Sequence, residues 1–98
     1  MENVKSDIKD TLLKIIYKYL PNCRVYLFGS RAKGTNKQGA DIDLALNSGH
    51  KIDWKILCDI KEEVENTTIP VFVDLIDVNS IDNEFLEQIQ KEWVEWTN

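Results

Sequence analysis

The chain has 98 residues, of which 43% are hydrophobic and 30% charged, and its formal net charge is -5. This composition fits one small globular domain, covering residues 1–98, and excludes disordered and fibrous proteins. The acidic balance disfavours a long DNA or RNA partner. The sequence shows neither a signal sequence nor a run of roughly 18 apolar residues, which disfavours a membrane partner. We therefore expect a cytoplasmic location.

The first half of the chain predicts a helix, a strand and a loop. Apolar residues recur at helical spacing from Ser6 to Leu20, with Ser6 as the expected N-cap and Pro21 directly after the helix. The stretch from Arg24 to Phe28 is rich in β-forming residues and stops at Gly29, which predicts a buried strand. Three glycines in the next twelve residues predict a turn and a loop.

The second half predicts a strand from Asp41 to Leu46, a helix capped by Asp53, a strand from Val71 to Val78 and a last helix from Ser80. This order of elements predicts an α/β (α+β) fold with a small three-stranded sheet backed by helices. The short link between the first two strands permits antiparallel pairing, so we expect a mixed sheet.

Two acidic side chains leave one face of the second predicted strand. Asp41 and Asp43 are two positions apart, about 7 Å along a strand, while Ile42 and Leu44 point towards the core. Adjacent like charges need neutralisation, and Mg²⁺ binds carboxylates together with phosphate oxygens. The alternative is a solvated acidic edge, because a DxD pair alone is common.

The loop before this strand has the composition of a phosphate-binding turn. Gly29 and Ser30 follow a strand directly, so backbone N–H groups and a hydroxyl could hold phosphate oxygens there. Gly34 permits a sharp turn, and Arg31 and Lys33 could add positive charge near a triphosphate. The spacing is not that of a Walker A loop, and an ordinary glycine-rich loop is the alternative.

A further carboxylate interrupts the third predicted strand. Asp74 shares a face with Phe72 and Ile76, whereas Asp77 has the opposite parity. A carboxylate within an apolar strand needs a partner, a metal ion or solvent. A metal site or a structural ion pair would both explain Asp74.

Together these motifs resemble the minimal nucleotidyltransferases of the DNA polymerase beta superfamily. The family pattern is G-S-x-A-[RK]-G, then S-D-I-D-L, then a strand Asp, and the chain has GSRAKG at 29–34, DIDL at 41–44 and VDLID at 73–77. Ala40 stands where the family often has Ser, which removes a possible hydroxyl contact but no metal ligand. The resemblance covers essentially the whole chain and implies the polymerase beta palm-like fold.

The resemblance also implies a mechanism with two magnesium ions and a nucleoside triphosphate, with ATP expected. Asp41 and Asp43 would hold both ions, and Asp74 would hold the ion that activates the acceptor hydroxyl. Gly29 and Ser30 would bind the β- and γ-phosphates. These five residues are the predicted catalytic site.

Prokaryotic members of this family resemble antitoxins that silence HEPN-domain toxins by adding AMP to a tyrosine, so a HEPN-domain partner protein is expected. One alternative is transfer to a small molecule of the aminoglycoside type, and another is a non-catalytic nucleotide-binding subunit that blocks its partner by contact. Trp54, Trp93 and Trp96 fill the core or grooves, or else the C-terminal helix is a docking surface.

Overall fold

The computed structural model describes residues 3–97, and its elements follow the predicted order with two additions. A four-residue helix opens the loop after the first strand, and a two-residue strand follows the last helix. None of the helices within residues 3–97 is long and apolar enough to cross a membrane. The elements are α1 (Ser6–Tyr19), β1 (Arg24–Phe28), α2 (Ser30–Lys33), β2 (Ile42–Asn47), α3 (Trp54–Glu65), β3 (Val73–Asp77), α4 (Asn83–Gln90) and β4 (Val94–Glu95).

The strands form one mixed sheet in the order β3-β2-β1-β4. β1 runs antiparallel to β2 and to β4, while β2 and β3 run parallel to each other. α3 makes the long crossover that a parallel pair requires. The predicted mixed sheet is confirmed, whereas the predicted number of three strands is wrong because β4 pairs with the outer edge of β1.

Alternation along the strands gives the sheet two chemically different faces. One face packs against α1 and α3 through fully buried side chains such as Leu12, Leu27, Leu44 and Ile60. The opposite face packs against α4 in a smaller cluster. That cluster is built on Tyr26, Ala45, Val78 and Ile89. The larger apolar layer stabilises the fold, and the smaller one leaves part of its face available for polar side chains.

The C-terminal segment differs from its prediction. The last helix ends at Gln90, and Trp93 and Trp96 lie beyond it. Because β4 is extended, these positions, three apart, project to opposite faces of the sheet instead of along one helical stripe. Trp93 stacks on Tyr26 with ring centroids 3.9 Å apart, and Trp96, 6% exposed, belongs to the larger core. The tryptophan docking surface on a C-terminal helix is therefore wrong, because Trp96 fills the core and Trp93 is partly buried in the smaller cluster. Core filling is wrong for Trp54, which is 74% exposed.

The helix starts agree with the sequence in one case of three. α3 begins at the predicted cap Asp53, whose carboxylate accepts a hydrogen bond from a backbone N–H. α4 begins later than predicted because Asp82, not Ser80, provides its cap. In α1 the N-cap is Lys5, without a side-chain hydrogen bond, and Ser6 is the first helical residue. The predicted cap at Ser6 is thus wrong.

Candidate active site

Strand pairing places Asp43 beside Asp74. Asp43 in β2 is the Cα partner of Asp74 in the parallel strand β3 and of Phe28 in the antiparallel strand β1. Residues directly opposite each other on neighbouring strands project to the same face of the sheet. Both carboxylates therefore lie on the face that carries α4, next to an aromatic ring.

The electrostatics of Asp43 favour a bound cation. Burial raises the pKa of the half-buried Asp43 carboxyl above its ordinary value, and the negative charges of Asp74 and then Asp41 raise it further. Ionised Asp43 is thus destabilised by its surroundings. A divalent cation would remove this cost, and a carboxylate donor set fits Mg²⁺.

Asp41 lies immediately before β2 and is exposed to solvent. It is close enough to Asp43 to influence the pKa of that carboxyl. Within residues 3–97, however, no three His, Cys, Asp or Glu side chains are arranged as a group that could hold a metal ion. The structure brings Asp43 and Asp74 together with Asp41 nearby, and the predicted convergence of all three on one ion stays a prediction.

Gly29 lies directly against the Asp43 carboxylate. Its backbone has φ 77° and ψ -161°, a combination that is essentially restricted to glycine. A Cβ atom at this position would collide with Oδ2 of Asp43 and lie 3.3 Å from its Cγ. Gly29 also precedes the first turn of α2, whose first residue is the half-buried Ser30. The predicted phosphate-binding turn thus begins beside the predicted metal-binding carboxylate.

Two further residues predicted from the same loop, Arg31 and Gly34, have structural roles. Arg31 donates from Nε and Nη2 to the carbonyl of Ala40, at 2.9 and 2.8 Å, and from Nη1 to the carbonyl of Asn3 at 2.9 Å. Gly34 ends α2 in the left-handed region, with φ 76°, and its N–H donates to the carbonyl of Ser30. The sharp turn at Gly34 is confirmed. The contacts within the fold already engage three guanidinium nitrogens and the Gly34 N–H. Phosphate contacts by Arg31 and Gly34 stay predictions.

Lys33 reaches across to the segment after α4. Its Nζ lies 3.0 Å from Oε2 of Glu92, and both side chains are about half exposed. An exposed ion pair of this kind contributes little to stability. Lys33 and Gly29 line the same cavity, and a contact between the Lys33 charge and a phosphate stays a prediction.

Two cavities flank the carboxylates. A cavity of about 450 Å³ lies beside Gly29 and is lined by Phe28 and by residues of α4. A cavity of about 250 Å³ begins at Asp74 and is lined by Phe72 and Lys61 among others. Phe72 is 62% exposed although it is apolar. The first cavity therefore lies on the β1 side of the carboxylates, whereas the second lies at the edge of β3 towards α3 and reaches the site only at Asp74.

Asp77 serves the fold instead of the site. Asp77 is 5% exposed, and its carboxylate accepts hydrogen bonds from the backbone N–H groups of Ile52 and Asn79 and from the Ser80 hydroxyl, at 2.8, 3.0 and 2.9 Å. These bonds tie the turn after β3 to the loop before α3. The prediction that Asp77 faces away from Asp74 is confirmed.

Sequence reasoning missed the aromatic pair at the site. Phe28 and Phe85 make an edge contact with ring centroids 6.4 Å apart, and both line the cavity beside Gly29. The position of Phe28, last in its strand and directly before Gly29, is a signal that could have placed it here. No local signal exists for Phe85, because its position depends on how α4 crosses the sheet.

Comparison with known proteins gives a consistent result along the chain. The family model described as "Polymerase beta, Nucleotidyltransferase" matches residues 10–94. A protein of Haemophilus influenzae described as "Probable protein adenylyltransferase MntA" is 33% identical over 92 residues, which cover 94% of this chain and 81% of the relative.

Solved structures share the fold. A crystal structure described as a toxin-antitoxin with AMP-PNP has a TM-score of 0.77 at 23% identity, covering 92% of this chain and 73% of the other. The tri-AMPylated Shewanella oneidensis HEPN toxin in complex with MNT antitoxin gives 0.74 at 20% identity, covering 97% and 74%. At this level of identity the likeness concerns the fold, and it confirms the α/β architecture predicted from the sequence.

Proposed function

Because the chain belongs to the polymerase beta nucleotidyltransferase family, we propose that it transfers AMP from ATP to a hydroxyl group of a HEPN-domain partner protein and acts as the antitoxin of that pair in the cytoplasm. The relative from Haemophilus influenzae supports protein adenylylation, and the fold shared with a HEPN–MNT complex supports the partner class. The observation that carries the proposal is the register that sets Asp43 opposite Asp74, with Gly29 against the Asp43 carboxylate.

The proposed reaction is an in-line displacement at the α-phosphate. The acceptor oxygen forms a bond to the α-phosphorus while the bond from that phosphorus to the bridging oxygen breaks, and pyrophosphate leaves. The hydroxyl proton passes to a base at the site. Asp74 lies on the side of Asp43 away from β1, which supports a role for Asp74 in receiving this proton or orienting the acceptor.

Asp41, Asp43 and Asp74 would hold two magnesium ions. These ions, when bound, supply positive charge for the triphosphate and for the attacking oxygen. The raised pKa of Asp43, caused by burial and by both neighbouring aspartates, supports this assignment. Cation binding would also favour the ionised carboxylate that the site needs at neutral pH.

Gly29 and Ser30 would bind the β- and γ-phosphates through backbone N–H groups and the Ser30 hydroxyl. Lys33, which lines the same cavity as Gly29, would contribute positive charge to a phosphate there. The phosphates would therefore lie on the β1 side of Asp43, and the acceptor would approach from the β3 side. The exposed Phe72 ring, which shares a face with Asp74, supports an acceptor entering there.

Transfer of label from ATP to the partner tests this function. The chain would be copurified with a candidate HEPN-domain partner and incubated with magnesium and ATP labelled at the α-phosphate. We expect label on the partner, lost in Asp43→Asn and retained in Asp10→Asn, whose exposed carboxylate on α1 lies outside the site. Label on an added aminoglycoside, or tight ATP binding without any transfer, would instead support the small-molecule enzyme or the non-catalytic subunit.

A further inference from the structure

The cavity on the β1 side has the composition of a nucleobase pocket. It measures about 450 Å³, and its lining includes Phe28, Gly29, Lys33, Phe85 and Gln88. Aromatic rings and an amide occur together in such pockets because a base offers a flat apolar surface and a polar edge. Neither the sequence motifs nor the reaction described above assigns a role to Phe85 or Gln88.

The position of Phe28 connects this cavity to the reacting phosphate. Phe28 is the direct antiparallel partner of Asp43, so the two side chains share a face and lie within about 6 Å of each other at Cβ. A nucleotide with its α-phosphate at Asp43 must extend its ribose and base in some direction over this face. The cavity is bordered by the phosphate-binding turn at Gly29 on one side and by α4 on the other, so its α4 side has room for the base.

Phe85 provides an aromatic surface in that space. It lies in the first turn of α4, is 38% exposed, and contacts Phe28 edge-on. Phe28 packs against the smaller core cluster, whereas Phe85 is not among the residues packed in it. An exposed ring held against a partly buried one, in the lining of a cavity, is suited to stack on a flat ligand.

Gln88 and the Lys33–Glu92 pair supply the polar part of the cavity. Gln88 is three residues after Phe85 on α4, so both side chains occupy the same face of the helix. Its amide carries donors and an acceptor, the groups that hydrogen-bond base edges. Lys33 and Glu92, 3.0 Å apart, border the same cavity on the side of α2.

We propose that the cavity between β1 and α4 binds the nucleobase of the triphosphate, with Phe85 stacking on the base and Gln88 contacting its edge. This inference rests on the proposed function, because it places the α-phosphate at Asp43. It adds to that function that Phe85 and Gln88 distinguish a nucleoside triphosphate from an inorganic phosphate chain.

Calorimetry with magnesium and either ATP or inorganic tripolyphosphate tests the inference. We expect Phe85→Ala to weaken ATP binding about tenfold, since a base–aromatic stack contributes about this much, and to leave tripolyphosphate binding unchanged. Phe85→Trp should retain ATP binding. Trp54→Ala removes a ring that is 74% exposed on α3, outside the cavity, and should bind both ligands as the wild type does.

Two results would overturn the base pocket. One is an unchanged ATP affinity in Phe85→Ala with a normal melting temperature, and the other is an equal loss for ATP and tripolyphosphate. If Phe85→Ala lowered the melting temperature, Gln88→Leu on the exposed side of α4 would replace it, with a changed ratio of ATP to GTP affinity expected. Label transfer by the wild type is measured separately, so loss of the base pocket and loss of the proposed function are distinguishable.

Discussion

The Cα of Gly29 faces the carboxylate of Asp43 so closely that no side chain can occupy the space between them. Gly29 follows the last residue of β1, and Asp43 lies opposite that residue in β2. The predicted phosphate-binding turn at Gly29 and the Asp43 carboxylate are therefore held in position by the antiparallel pair of β1 and β2. Four predictions follow from this and the other contacts.

Gly29→Ala should lose both stability and activity. The methyl group would displace the Asp43 carboxylate, and the backbone conformation at this position is strained for alanine, at a cost of about 1–3 kcal/mol. Urea denaturation and label transfer measure the two effects. Gly39→Ala is the matched control, because Gly39 also has positive φ but a Cβ there meets no atom within 4 Å. Equal behaviour of the two variants would contradict the contact between Gly29 and Asp43.

Asp43→Asn should stabilise the fold while abolishing transfer. Burial and two neighbouring carboxylates raise the pKa of Asp43 in the folded chain above the ordinary 3.8. The folded state then binds more protons than the unfolded state between these pKa values, so the stability of the wild type falls as the pH rises through this window. Asparagine removes that dependence.

The variant should therefore melt a few degrees above the wild type at neutral pH without magnesium. The difference should disappear when the pH falls below 3.8. Thermal melts across this range measure it, with Asp10→Asn as the control for removal of a surface charge. A neutral-pH melting temperature below that of the wild type would show that the Asp43 charge is compensated within the fold.

Asp77→Ala should destabilise the chain, in contrast to Asp74→Asn. Alanine at 77 leaves the N–H of Ile52, which donates to this carboxylate at 2.8 Å, without its acceptor. The loss of such a buried bond costs about 1–3 kcal/mol, and two further donors lose the same acceptor. Urea denaturation should show a lower midpoint for Asp77→Ala and a midpoint at or above the wild type for Asp74→Asn. A lower urea midpoint for Asp74→Asn than for Asp77→Ala would contradict the structural role assigned to Asp77 and the site role assigned to Asp74.

Cys23 should resist thiol reagents in the folded protein. Burial raises the pKa of its thiol to about 11, so the reactive thiolate is scarce at neutral pH. Cys58 is partly exposed. Mass spectrometry should detect one iodoacetamide adduct on the native chain, none on native Cys58→Ser, and two on the wild type in urea. Rapid modification of native Cys23 would contradict its placement in the core.

The proximity of Asp43 and Asp74 could be predicted from the sequence, because strand parity and the family motifs both assign these side chains to one face of the sheet. It was insufficient for Trp93 and Trp96, since a spacing of three is also a helical spacing. Only pairing of β4 with β1 decides that these rings go to opposite faces. This pairing is a long-range contact that local patterns do not encode.

Arg31 makes contacts that local sequence patterns do not predict. A cation in a glycine-rich loop suggests phosphate binding, but its acceptors here are the backbone carbonyls of Ala40 and Asn3. Carbonyl positions depend on how the loop closes, and any residue type supplies them. Arg31 bonds the backbone carbonyl of residue 40, so Ala40 supplies this contact although it stands where the family often has Ser. The family motif, which lists side chains, does not contain this contact.

Because β2 and β3 are parallel neighbours joined by a crossover, the site forms only when β3 docks onto the sheet beside β2. The two facing carboxylates are contributed by segments on either side of the whole crossover helix α3. A chain cut in the loop at 48–51 would yield two fragments with one member of this pair each. Competence for catalysis would then return only on fragment complementation, and its recovery would report docking of β3 onto the sheet.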